Sequence, residues 1–581
     1  MKRLILILLT FIAFDAISQN NKQVIDPTVE VNRDFEGKMM EITKGKIGTT
    51  IADSLFKFKT DFNYTFFNKP YRDLYEFSPV ESAGVPQLEN CSSPELIAKV
   101  GMGYPISPEV NVLFTPKLQG NHFLDVKGNF NLYKGDVPVY SVNGEKVAKT
   151  GEKTENNEMD YGVKADYTYA WRSGQFNAYA GYNGGKREFF QSIGKKNPFT
   201  FHQVEGGLGV KSSGAGKYGQ KLNYALNANA RLTMDKPLQE SLFSVAGELG
   251  PTVGRFNRFM VGFGGKYADY SGSEGFHYGL FNITPQYRYA NGKVIVNLGV
   301  KIEGKFTDIK NMADLFHNTF FPAADVSLRL LPDKLWLYGK VDGWNSINAW
   351  SDVFAQNNFI STHPRNLKAS SVPVHAEAGF QGRITDKFSY RLYGEYAMHK
   401  GLQQFVYNLN NKYFTTFYSK NNELAASAEF DITTEPFQGG VSCRYASFSK
   451  GKESTFMIDK IDATESAQLQ GSARGKFNIY QKEAIGFPQL QGSVYAKYSF
   501  REKFSIGVQC YMQGEEKALC SDGNVVTIDG FADLQATVEY TINPAFTIWL
   551  RGENLLDAAT QYTPFYQRKT RGILAGIIVK L

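Results

Sequence analysis

The chain has 581 residues and a formal charge of +7, with 21% charged and 14% aromatic residues and 55 glycines, enough for several soluble domains or one large barrel. Beyond residue 19 no run of about 18 apolar residues occurs, which excludes a helical membrane protein. No block of Lys and Arg gathers on one element, so nucleic acid is not an expected partner, and the modest basicity suits a surface facing anionic lipid and lipopolysaccharide.

The opening MKRLILILLTFIAFDAISQ joins basic Lys2 and Arg3 to an apolar core, with small Ala16 and Ser18 at the spacing a signal peptidase accepts. Residues 1–18 are therefore read as a signal peptide, and no Cys stands at the cleavage point to carry a lipid anchor. Residues 19–54 are expected to form a periplasmic N-terminal arm and residues 55–581 a barrel.

From residue 55 the apolar residues recur with period two. In LFKFKTDFNYTFF, Phe56, Phe58, Phe62, Tyr64 and Phe66 alternate with Lys57, Lys59, Asp61 and Asn63. KLNYALNANARL repeats the pattern, as do residues 294–302, 388–398, 504–512 and 546–550. Several runs reach roughly ten residues, the length a tilted strand needs to cross a bilayer, against about 5 to 6 in a soluble sandwich.

Short connections at YPISPE, WRSGQF, YANGKV, LLPDKL, ITDKF, TTEPF, FREKF and INPAF contrast with long polar stretches at 134–157, 344–372, 400–421 and 450–485. This asymmetry predicts an all-β fold: a transmembrane antiparallel β-barrel of about 22 strands, with short periplasmic turns and long extracellular loops. The count centres strands near residues 60, 100, 127, 165, 179, 205, 226, 244, 263, 283, 299, 325, 339, 379, 393, 428, 443, 493, 508, 533, 549 and 577, and treats 109–133 as one crossing interrupted near LQGN. An even number puts both termini in the periplasm. At the end, GILAGIIVKL places Ile573, Ala575, Ile577, Val579 and Leu581 on the lipid side of a closing strand. Its backbone must pair with the first strand, because hydrocarbon offers no water to satisfy it.

The segment TIWLRGENLLDAATQYTPFYQRKTRGILAGIIVKL resembles the end of TonB-dependent receptors: an E-N-L-[LF]-D-like turn, a loop with Tyr and Pro, an Arg-Gly pair and a final alternating strand. The matching residues are Glu553, Asn554, Leu555, Leu556, Asp557, Tyr562, Pro564, Arg571 and Gly572. Leu581 stands where that family usually has an aromatic residue. The resemblance implies an outer-membrane barrel of about 22 strands. It also implies an N-terminal plug domain of well over a hundred residues, for which residues 19–54 leave no room. The expectation is a plugless barrel, similar to those of Bacteroidota-type outer membranes. Its lumen would be obstructed by QVIDPTVEVNRDFEGKMMEITKGKIGTT or by the stretches at 344–372 and 450–485.

Chemistry-bearing motifs are sparse. His122, His202, His277, His317, His363, His375 and His399 form no ligand spacing, so no metal site and no cofactor are expected. Cys443 and Cys510 fall on apolar strand phases. Cys91 and Cys520 fall in expected outer loops, and a disulfide between them is a candidate. GVKSSGAGKYG fails as a phosphate loop because Tyr218 follows Lys217. No local signature gathers a nucleophile and base, so no enzyme is expected. The preferred function is a transport component of the outer membrane; the alternative is a non-catalytic structural subunit of an assembly or secretion complex. Partners would then be an outer-membrane lipoprotein, another barrel or a periplasmic protein.

Overall fold

The computed structural model describes residues 94–581 apart from 191–195, 214–221, 236–237, 272–274, 308–318, 361–366, 410–411, 450–453, 460–473, 480–483 and 502. Twenty-two strands, from Leu96–Tyr104 to Gly572–Lys580, each pair antiparallel with the strand before them in one ring. The last strand pairs with the first, Ile573 opposite Tyr104 and Lys580 opposite Ile97, so the ring has no free edge. Two hairpins lie in the connections rather than in the ring: Ser454–Asp459 with Arg474–Ile479, and Glu516–Cys520 with Val525–Ile528.

The strand count matches expectation, but its first members differ. The supposed single crossing at 109–133 is a hairpin, Glu109–Phe114 and His122–Asn143, and the closing partner is Leu96–Tyr104. The alternating stretch around residue 60 lies outside the described residues, as do the signal peptide and the proposed arm. The first described strand begins at Leu96.

Outward side chains form the apolar belt that the alternation anticipates. Leu298, Val300 and Ile302 are exposed, as are Phe546, Ile548 and Leu550, while Lys301 and Glu303 point inward and pair with each other. On the closing strand Ile573, Ala575, Ile577 and Leu581 occupy the exposed phase, Val579 is half-buried, and Leu574 and Ile578 are buried. Cys443 and Cys510 share the outward phase with Val441 and Val508.

The seam is packed by an aromatic ring over glycines. A Cβ on Gly101 would lie 2.2 Å from the buried Trp549 ring, and one on Gly576 would lie 2.7 Å from it, so both positions must lack a side chain. Lys99 sits over the same ring at 4.4 Å and pairs with Glu109, whose carboxylate also accepts from Arg551. Arg551 continues to Glu553, and Glu553 to Lys569. Alternating charge thus lines the inner side of the closure.

The two ends of the ring differ. One end carries reversals such as 172–173, 291–293, 386–387 and 544–545, together with both ends of the described strand circuit. At the other end many strands extend beyond the belt. The stretches expected as loops at 134–157 and 400–421 belong to the hairpins His122–Asn143 with Lys146–Trp171 and Phe388–Tyr407 with Phe414–Thr433. Once a strand leaves hydrocarbon, water on both faces removes the need for alternation, which is why these extensions read as polar loops. YPISPE turns at this same end, not among the short reversals opposite.

Candidate functional site

At the extended end, connections fold back between the walls. The connection from Leu335–Ser346 to Ser370–Thr385 carries one short helix, α1 (Trp350–Gln356), whose apolar residues Trp350, Val353 and Phe354 follow helical spacing and are buried. Ala349 at its N-cap offers no capping side chain. Glu240 from the wall replaces it: this buried carboxylate accepts from Trp350 N at 2.5 Å, Ser351 Oγ at 2.5 Å and Tyr270 Oη at 2.7 Å. A negative group there meets the unpaired N–H groups and the positive end of the helix dipole. Arg231 and Lys266 hold Asp352 from the other side at 2.6 and 2.9 Å.

The Glu516–Cys520 and Val525–Ile528 hairpin makes a second inward element. Val406 and Tyr407 pair in parallel with Leu519 and Cys520, and Lys146 pairs in parallel with Thr527. Those two wall strands are eleven places apart in the ring of twenty-two, so the hairpin joins opposite walls. The connection 554–571 adds a third element. Phe565 stacks on Tyr407 at 3.9 Å, Tyr566 on Phe359 at 3.7 Å, and Arg568 makes a two-pronged contact with Glu158.

All three meet in one apolar core. Ile347, Trp350, Val353 and Phe354 pack with Ala518, Val526, Ile528 and Phe565, and with Tyr270 and Tyr278 of the wall. This is soluble-type packing inside a membrane barrel, and it occupies the interior at the extended end.

Two cavities flank it. One, of about 470 Å³, is bordered by Arg187, Phe201, Thr233, Phe354 and Arg568. The hydroxyl of Thr233 and the Nε of Arg187 are buried there without a hydrogen bond. The other, of about 250 Å³, lies between α1, the hairpin and a charged stretch of wall, and is bordered by Gln356, His375, His399, Glu423, Arg444 and Glu516.

That wall carries clustered ion pairs drawn from five adjacent strands. Lys340 and His375 bind Asp342; Arg444 contacts Glu395 and Glu423; His399 contacts Glu423; Arg391 contacts Glu377 and Glu429. None of these side chains was marked by sequence motif, because their partners lie on different strands. Period-two phase gives the inward side of each strand but not which inward groups meet.

The family-like motif lies in the connection 554–571 and its flanks. Glu553 is buried in the seam network, and Asn554, at φ +44°, exchanges hydrogen bonds with the backbone of Ala558. Leu555, Leu556 and Asp557 complete the turn, Leu555 and Leu556 being exposed and Asp557 at φ +52°. Tyr562 donates to Asp533, Pro564 borders the smaller cavity, and Arg571 and Gly572 lead into the closing strand. Cys520 is a free, fully buried thiol whose burial pushes its pKa up to about 12, while Cys91 lies outside the described residues. Of the segments expected to fill the lumen, 344–372 contributes α1 and core residues. QVIDPTVEVNRDFEGKMMEITKGKIGTT lies outside the described residues, as does most of 450–485.

No family model and no curated protein matches the sequence. Solved structures do match in fold. The FrpB iron transporter from Neisseria meningitidis is 8% identical, with a TM-score of 0.59 over 85% of this chain and 82% of that one. The ferric enterobactin receptor PfeA from Pseudomonas aeruginosa is 9% identical, with a TM-score of 0.57 over 84% and 80%. The ferric-catecholate import receptor Fiu from E. coli K12 is 8% identical, with a TM-score of 0.57 over 85% and 82%. This chain has the same barrel fold as these transporters and receptors.

Proposed function

We propose that the chain is a transport component of the bacterial outer membrane: a barrel of TonB-dependent receptor type, without a separate plug domain, closed at its extended end by its own connections. The observation that carries this reading is the apolar core inside the ring, built from α1, the 516–528 hairpin and the 554–571 connection. A wall that needed no regulated passage would have no use for a core supported from opposite sides. The extended end then faces lipopolysaccharide, and the short reversals and both termini face the periplasm, as in bacterial barrels generally. The likeness to solved transporters and receptors supports this reading through fold alone.

Planar-bilayer recording tests it. Purified protein is expected to show little steady conductance, and a variant with 347–369 and 514–530 replaced by short Gly-Ser links should conduct steadily. Equal conductance from both would contradict the closure. Silence from both, with the variant still folded as a barrel, would count against transport.

A further inference from the structure

We propose that His375, Glu377 and Glu395 form a binding site for a divalent transition-metal ion in the inner wall, with Asp342 as the group that orients the imidazole. The inference is independent of whether the barrel conducts.

Each of the three residues presents one ligand atom, and these atoms all lie within 4.8 Å of one another. Glu377 and Glu395 are direct cross-strand partners, each already touched on one side by a guanidinium, Arg391 on Glu377 and Arg444 on Glu395. His375 is buried, and its Nδ1 donates to Asp342 Oδ1 at 2.7 Å. That bond fixes the ring so that Nε2 is the atom turned towards Glu395, the carboxylate–histidine arrangement found behind metal ligands. His375 Nε2 makes no hydrogen bond and stands 3.8 Å from Glu395 Oε1. If it were protonated, a buried N–H would have no acceptor within bonding distance, whereas a metal would use the lone pair directly.

Glu377 already accepts from Tyr338 and Arg391, both on Oε1, so its carboxylate keeps capacity for a further contact. An imidazole with two carboxylates suits zinc or another borderline first-row ion over magnesium or calcium, which favour all-oxygen sites. The flanking cavity, which His375 also borders, gives an ion a route in.

The test uses full-length protein in detergent, stripped with EDTA and titrated with Zn²⁺ by calorimetry and with Co²⁺ by visible absorption. About one equivalent should bind, with cobalt bands of a nitrogen- and oxygen-ligated ion. His375→Ala should abolish these bands, and Asp342→Asn should weaken binding by about ten- to a hundredfold at unchanged stoichiometry. His122→Ala, an exposed histidine far along the wall, should bind as the parent does. Circular dichroism and thermal unfolding establish that each variant is folded; should His375→Ala not fold, His375→Gln gives the same readout. Folded protein that takes up neither ion, or binding that survives removal of His375, overturns the proposal.

Discussion

Glu516 shows how a single side chain ties the closure to solution conditions. It sits buried at the start of the inward hairpin, its Oε2 accepting from Gln513 at 2.8 Å, and burial pushes its pKa up to about 8 from an ordinary 4.5. Below about pH 4.5 the carboxyl is protonated whether the hairpin is docked or free, and it imposes no penalty. Between 4.5 and 8 the free hairpin gives up a proton that the docked one retains, so docking weakens as pH rises, by about 1.4 kcal/mol per unit at most. Hydrogen exchange of hairpin amides, corrected for intrinsic rates, should therefore show less protection at pH 8 than at pH 6. Glu516→Gln is expected to flatten that difference; a parallel response in parent and variant would show that Glu516 does not govern docking.

At the scale of the element, α1 illustrates structure held by its surroundings. Seven residues are too few for a stable isolated helix, so its order depends on the wall. Glu240→Ala leaves the Trp350 and Ser351 donors without their buried acceptor, and should destabilise the inserted segment by about 3 kcal/mol, roughly a hundredfold in amide exchange of Trp350–Gln356. Unchanged protection there would mean that apolar packing alone holds the helix. Much of this architecture was readable from period two: twenty-one of the twenty-two expected strand centres fall in distinct strands of the ring. Glu109–Phe114 escaped because six residues are too short to show alternation against the neighbouring 115–121 turn. The extended hairpins escaped because both faces are wet or packed by loops. Trp350, Val353 and Phe354 did carry an i, i+3, i+4 signal inside a stretch read as polar loop. The His375 network had no comparable signal, since its members are brought together only by strand register.

For the whole molecule, the ring and its inner core answer different demands. Closure through Leu96–Tyr104 and Gly572–Lys580 satisfies every edge in hydrocarbon, while the core at the extended end obeys the rules of a water-soluble domain. The hairpin links these demands by pairing with strands half the ring apart. Disulfide trapping tests that bridge most directly. In a background with its four cysteines replaced by serine, one variant pairs Val406→Cys with Leu519→Cys and another pairs Lys146→Cys with Thr527→Cys, at register positions whose parallel-strand spacing of about 4.8 Å suits a disulfide. Both pairs should oxidise readily in folded protein and shift its electrophoretic mobility, and each single-cysteine control should not. If either pair stays reduced in folded barrels and reacts freely with a bulky maleimide, the hairpin does not span the lumen and the closure described here is wrong.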